Sequence, residues 1–182
     1  DAGHSATISL LYVYALERAA ELEQALGMPG AVADYRLRAQ SVRAAVRSRA
    51  WDPARGLFRD SPDTTSYSQQ TNVLAILADA VPAATQRTLM ERVLSDTTLT
   101  PASYYFSFYV FEALRKAGLG DRYIEQLKPW QAMLSLGLTS APENPEPTRS
   151  DTHAWAAHPN YGLLATVLGV RPASPGFRTV SI

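Results

Sequence analysis

The chain has no cysteine, and its Lys+Arg and Asp+Glu totals are equal at 17 each. The first absence removes disulfides and thiolate metal sites and leaves compartment open, cytoplasm and periplasm alike. The second leaves no basic excess to meet a phosphate backbone, which argues against nucleic-acid binding. No apolar run approaches the roughly 20 residues that would span a bilayer, so no membrane partner is expected. The N-terminus shows no basic region followed by an apolar one of the signal-peptide kind. It also lacks Met, and DAGHSATISLL is already close to helical pattern, as expected of a fragment or processed product. GxSxG, P-loop and GxGxxG motifs are missing, which leaves their enzyme classes without support. His4, His153 and His158 lack zinc-protease or zinc-finger spacing. Neither a metal nor a cofactor is expected.

What is present is helical. With 182 residues, 46% of them hydrophobic, the chain is long enough for one domain with a sizeable core and short for two. Over 5–26, Ile8, Leu11, Tyr12, Ala15, Ala19, Leu22 and Leu26 follow the spacing of a helix face. GMPG at 27–30 stops that helix, since glycine takes the left-handed cap and proline cannot continue it. A second helix over 31–49 turns Val32, Tyr35, Ala39, Val42 and Val46 inward, with Arg36, Arg38, Arg43, Arg47 and Arg49 as a solvated face. Further helices are expected over 66–80, 83–94, 103–118, 121–136 and 150–168. The helix over 83–94 turns Gln86, Arg87, Glu91 and Arg92 outward; Pro129 and Pro159 divide or bend the last two.

These segments alternate between apolar all round and polar on one face. A helix hydrophobic on every side must be covered on every side. The alternation therefore predicts an inner and an outer layer: an all-α fold of about seven helices in the pattern of an α/α toroid of helical hairpins, some of which an α-solenoid of stacked helix pairs could also show. Links into the inner helices, at 50–65, 95–101 and 137–149, are the long ones, and hairpin topology gathers them at one mouth. Beyond residue 170 two prolines and a glycine end the helices, and Phe177, Val180 and Ile182 begin a short β segment. The expected division is 1–170, helical, and 171–182, a linker and first strand toward a β-domain outside the chain. A lone strand is not stable by itself.

Polar and aromatic chemistry concentrates in TSAPENPEPTRSDTHAW at 139–155. Glu143 or Glu146 could serve as a general base on water in a cleft; equally, glutamates in a Pro-rich loop are commonly solvated. Ser150 or Asp151 reads as a helix N-cap, with His153 as a hydrogen-bonding or acid–base group beyond it. Aromatic residues gather near the long loops: Trp51, Phe58, Tyr67, Tyr104, Tyr105 and Trp155. Such a rim suits stacking on the C–H faces of sugars, whereas Phe106, Phe108 and Phe111 read as core. The polar run 67–72 exceeds what a helix cap needs.

The segment LTSAPENPEPTRSDTHAWAAHPNYGLLATVLGVRPASPGF resembles the end of the catalytic (α/α)6 domain of the bacterial α-L-rhamnosidases, glycoside hydrolase family 78, which implies a partial (α/α)6 toroid. There a Thr-Thr-x-x-Glu-like loop precedes a Ser-x-x-His-Ala-Trp segment and a Gly-Ile-Arg-Pro-like linker. WDPARGLFRDSP and TSYSQQTNVLAILA resemble further segments of the family, so the likeness covers essentially the whole chain. It implies an inverting glycoside hydrolase with Glu143 as general base and His153 and Trp155 in contact with a rhamnoside-like substrate. Asp151 is expected to orient that group, and Trp51 and Tyr67 to line the sugar site. The general acid is expected upstream, outside this chain. Ser140, Gln70 and Thr152 depart from the family pattern, which has Thr, His and Cys there. The alternative is a non-catalytic carbohydrate-binding or helical interaction module. A half-toroid of either kind is expected to self-associate or to pair with a missing N-terminal half.

Overall fold

The computed structural model describes residues 4–145, 147 and 150–182. The chain packs as two compact units, Asp1–Pro101 and Ala102–Ile182. The fold is all-α, with four two-residue strands among the described residues.

In the first unit, α1 (Ala6–Ala25) packs on α2 (Val32–Ala50) and on α3 (Gln69–Leu77), and α3 packs on α4 (Ala83–Ser95). Ser5 caps α1 by accepting from Ile8 N–H at 3.2 Å. At its other end Gly27 takes φ +70°, and Met28 N–H reaches Glu23 O at 2.9 Å, closing the helix as the GMPG punctuation predicts. Helix α1 carries two apolar stripes, and the fold buries the one that the periodicity did not single out. Ala6, Leu10, Val13, Leu16 and Ala20 are buried, while Ile8, Tyr12, Leu22 and Leu26 are exposed. Where a helix is apolar on two faces, spacing alone does not choose between them.

Helix α2 buries Val32, Ala39 and Val46, in line with its pattern. Two of its arginines are not merely solvated. Arg43 Nε donates to Ala78 O at 2.6 Å and Arg47 to Ala80 O at 3.1 Å, meeting carbonyls past the end of α3. Helix α3 is enveloped, with every residue from Thr71 to Leu77 buried. It starts at Gln69 rather than 66, because Ser68 supplies the cap by accepting from Thr71 N–H at 3.2 Å. It ends early because Asp79 takes φ +53°, letting Ala80 N–H bond Ala75 O at 2.8 Å. That turn recruits Gln86, whose Nε2 donates to Asp79 Oδ1 at 2.8 Å. Gln86 is therefore buried, not outward.

The expected loop over 50–65 contains a hairpin: β1 (Trp51–Asp52) pairs antiparallel with β2 (Leu57–Phe58). Asp52 Oδ1 accepts from Ala54 and Arg55 N–H at 3.0 and 3.3 Å, and Gly56 takes φ +61° to close the turn. The polar run 67–72 is largely spent on holding this hairpin. Buried Asn72 brackets Phe58, accepting from its N–H at 2.8 Å and donating to its carbonyl at 3.1 Å. Ser68 and Thr71 hydroxyls both donate to Asp60 Oδ1 at 2.5 Å. With the Thr71 proton so used, Thr7 must donate to Thr71 Oγ1 at 2.6 Å, which ties α1 to α3.

The second unit holds α5 (Ser107–Lys116), α6 (Lys128–Ser135) and α7 (Pro159–Gly162). The helix expected over 121–136 is divided as its proline foretells: 3₁₀ turns cover Gly120–Arg122 and Ile124–Leu127, and Pro129 sits in the first turn of α6. The helix expected over 150–168 is broken further, into a 3₁₀ turn Ala154–Ala157, α7, and a π turn Leu163–Val167. Pro159 lacks the N–H that would continue the first turn and opens the next. The chain ends in β3 (Arg171–Pro172) paired antiparallel with β4 (Val180–Ser181), so the terminal strand finds its partner within the chain.

Behind α7 lies a core of aromatic rings. Tyr123 is fully buried, 4.6 Å from Phe111, and its hydroxyl donates to Pro159 O at 3.2 Å. Burial, with Glu112 nearby, raises its pKa to about 12. His158 lies 5.2 Å from Trp130 and 5.3 Å from Phe111. Burial pushes its pKa down, offset in part by the Nε2 bond to Tyr104 O at 3.0 Å. Phe111 is core as expected, whereas Phe106 and Phe108 are half-buried.

Candidate functional site

The residues that carry the sequence-based expectation fall in both units. Glu143, Asp151, His153 and Trp155 belong to the second, Trp51 and Tyr67 to the first. Glu146 lies outside the described residues.

In the second unit the two limbs of the Pro-rich loop run back alongside each other. His153 N–H donates to Ala141 O at 2.7 Å, and Glu143 N–H to Ser150 O at 2.9 Å. Ser140 Oγ adds a bond to Asp151 O. Three crosslinks thus fix residues 140–143 against 150–153, although neither limb has regular secondary structure. Pro142 is buried and anchors the first limb. The backbone of Glu143 is therefore held beside that of the Ser150–His153 limb. Glu143 and His153 are half-buried, and Asp151 is exposed.

This strapping replaces the helix cap expected at Ser150 or Asp151. Ser150 Oγ accepts from Thr152 N–H at 3.4 Å in a local turn, and the 3₁₀ turn starts from an extended His153 with no side-chain cap. The His153 ring packs at 4.4 Å from Trp155, tilted by 45°. Its Nδ1 is buried with no hydrogen-bond partner among the described residues. Trp155 remains 45% exposed and meets Tyr105 edge-on at 5.8 Å, with Tyr105 itself 50% exposed. Imidazole, indole and phenol thus form a continuous, partly open aromatic surface beside the loop. Such a surface can stack on an apolar ligand face while the imidazole offers a polar edge. Tyr105 gave only a general signal in the sequence, as one of a run of aromatics. Its link to Trp155 depends on packing that spacing does not encode.

A groove of about 450 Å³ in this unit is lined by Thr139, Ser140 and Ala141 together with Trp130, Leu134 and Leu163. Glu143, His153 and Trp155 do not line it. Among the described residues no group of three or more His, Cys, Asp or Glu could hold a metal ion.

In the first unit Trp51 is half-buried, edge-on to Phe58 at 4.9 Å. Tyr67 is buried; its hydroxyl donates to Asp52 Oδ2 at 2.6 Å, and the Arg55 guanidinium lies 4.2 Å over its ring. The Tyr67 bond holds the Asp52 carboxyl below its ordinary value, and the same bond raises the Tyr67 hydroxyl. Its hydroxyl and one ring face are thus engaged within the protein.

No protein-family model matches the sequence, and no curated protein matches it. Solved structures do. A GH78 family rhamnosidase of Bacillus sp. GL1 superposes with a TM-score of 0.85 at 26% identity, over 98% of this chain. A rhamnosidase from Klebsiella oxytoca with rhamnose bound gives 0.78 at 24% identity, over 90%. The chain shares their fold. It spans 21% and 34% of those longer chains, respectively. The resemblance drawn from the sequence thus holds at the level of fold, and the chain's structural likeness is to glycoside hydrolases.

Proposed function

We propose that the chain is the C-terminal part of an inverting glycoside hydrolase domain of the α-L-rhamnosidase type, one arc of an (α/α)6 toroid. The observation that carries this is the fold match over 98% of the chain to a GH78 rhamnosidase, at a TM-score of 0.85. Consistent with it, a loop resembling that family's Glu loop is strapped beside the His153–Trp155 pair. In this account residues 171–182 lead toward a further domain, and the carbohydrate substrate is rhamnoside-like.

The chemistry follows from what each group can do. Glu143 takes a proton from the water that attacks the anomeric carbon. An inverting pair stands roughly 6.5–9.5 Å apart to leave room for that water. The matching general acid belongs to the upstream part of the domain. Trp155 stacks on the sugar and His153 bonds a hydroxyl. Asp151 orients the loop through its backbone bond to Ser140. Tyr67 is assigned to shaping the first unit, since its hydroxyl and one ring face are engaged there, while Trp51 is only half-buried against Phe58. The exposed stripe Ile8, Tyr12, Leu22 and Leu26 on α1 fits a surface covered by further helices of the same domain.

The test is hydrolysis of an aryl α-L-rhamnoside by the longer polypeptide containing this chain, followed by NMR. The first-formed sugar is expected to be β-L-rhamnose. Formation of α-L-rhamnose first contradicts inversion. A folded longer polypeptide that binds rhamnosides without cleaving them favours a carbohydrate-binding module.

A further inference from the structure

A second groove, of about 290 Å³, lies in the first unit and has no part in the chemistry above. We propose that it binds a single sugar carboxylate, a uronic acid residue, between Arg47 and Arg92 and against Trp51.

Its walls come from rigid elements. Arg47 and Trp51 stand one helical turn apart at the end of α2, and Thr85, Thr88 and Arg92 follow each other along one face of α4. The buried side chain of Leu89 contributes an apolar floor. Both guanidiniums are anchored without being neutralised. Arg47 donates to Ala80 O at 3.1 Å and Arg92 to Arg55 O. Neither makes an ion pair among the described residues. The neighbouring acids are committed elsewhere: Glu91 to Arg87 at 3.2 Å, and Asp96 to Arg55 at 2.7 Å. Glu91 and Asp96 line a separate hollow that shares Thr88 and Arg92 with the groove.

Each anchored arginine keeps further N–H groups, and the guanidinium fork suits a carboxylate better than any neutral group. Trp51, steadied edge-on by Phe58, offers a half-exposed apolar face of the size of one ring. The Thr85 hydroxyl, which donates to Pro82 O at 2.9 Å, retains lone pairs for ligand hydroxyls, and Thr88 supplies a second hydroxyl. A cavity of this volume sits at the small end of ligand sites and takes one ring rather than a chain. Carboxylate, ring face and hydroxyls together specify a sugar acid.

The test is titration of the folded chain with D-glucuronate and D-galacturonate, followed by NMR at the Trp51 indole and arginine Nε–H signals. Saturable shifts are expected, with affinity reduced about tenfold or more by Arg92→Gln, the loss expected for a charge-assisted bond. Because Arg47 also holds Ala80, Thr88→Glu provides the independent variant. It places a carboxylate in the groove from an exposed position and must abolish binding while circular dichroism stays unchanged. No saturable binding, or equal binding by both variants, overturns the site. Equal binding of neutral glucose overturns carboxylate recognition, and equal binding of benzoate overturns the sugar assignment. None of these outcomes bears on Glu143, so the two proposals fail separately.

Discussion

Gly162, the last residue of α7, is where the aromatic core of the second unit is least tolerant. A Cβ built there would lie 2.0 Å from Tyr123 Oη, 2.5 Å from Cζ and 2.7 Å from Cε2. Real contacts start beyond 3 Å, so in Gly162→Ala the ring must move by about 1 Å or α7 must lift. Neither is easy: Tyr123 is fully buried, packed at 4.6 Å on Phe111 and bonded to Pro159 O. Overpacking of this kind costs about 1–3 kcal/mol, and losing the buried hydroxyl bond adds about 1 kcal/mol. Alanine returns at most about 1 kcal/mol through helix propensity. The net expectation is a loss of about 2–3 kcal/mol, read from urea unfolding by tryptophan fluorescence. Tyr123→Phe removes the nearest atom but leaves the two ring carbons, so the double variant should recover only part of the loss. A Gly162→Ala variant within about 0.5 kcal/mol of the parent, the range of an ordinary surface change, would refute the packing described.

Other consequences can be checked alongside. Burial lowers the His158 pKa, so the folded state holds it neutral while the unfolded chain binds a proton below about pH 6.5. Stability of the second unit should therefore fall as pH drops through that value, and His158→Gln should flatten the dependence in pH-stepped urea melts. The Asp52 carboxyl is held low by Tyr67, so its contribution is present above the ordinary carboxylate range and lost as acid protonates it. Tyr67→Phe should remove part of the acid sensitivity of the first unit in the same assay. On α1, Leu10→Ala should cost about 2–5 kcal/mol as a core truncation. Tyr12→Ala, on the exposed stripe, should stay within about 0.5 kcal/mol.

The sequence made some features legible and hid others, for reasons that differ by element. Helix ends were readable where one residue decides them: Gly27 closes α1, and Pro129 and Pro159 restart helices. The face of α1 was not, because two apolar stripes satisfy the same periodicity and only the neighbours select one. Gln86 reads as a surface residue because nothing in the local pattern shows that the turn at Asp79, in the left-handed region, brings its carboxylate within 2.8 Å of the Gln86 amide. The hairpin 51–58 hid within an expected loop because strands of two residues carry no alternation to detect. At the candidate site the residue types were legible and their arrangement was not. Backbone bonds at Ala141 and Glu143 and the Ser140 hydroxyl strap the loop, and no sequence motif announces them.

The central claim is that Glu143, set beside the Ser150–His153 limb, activates water in the longer enzyme. The direct measurement is kcat and KM of its Glu143→Gln variant on an aryl α-L-rhamnoside. Removal of a general base is expected to lower kcat by about 10²–10⁴-fold while KM stays near the parent value. A variant that turns over at the parent rate contradicts the account.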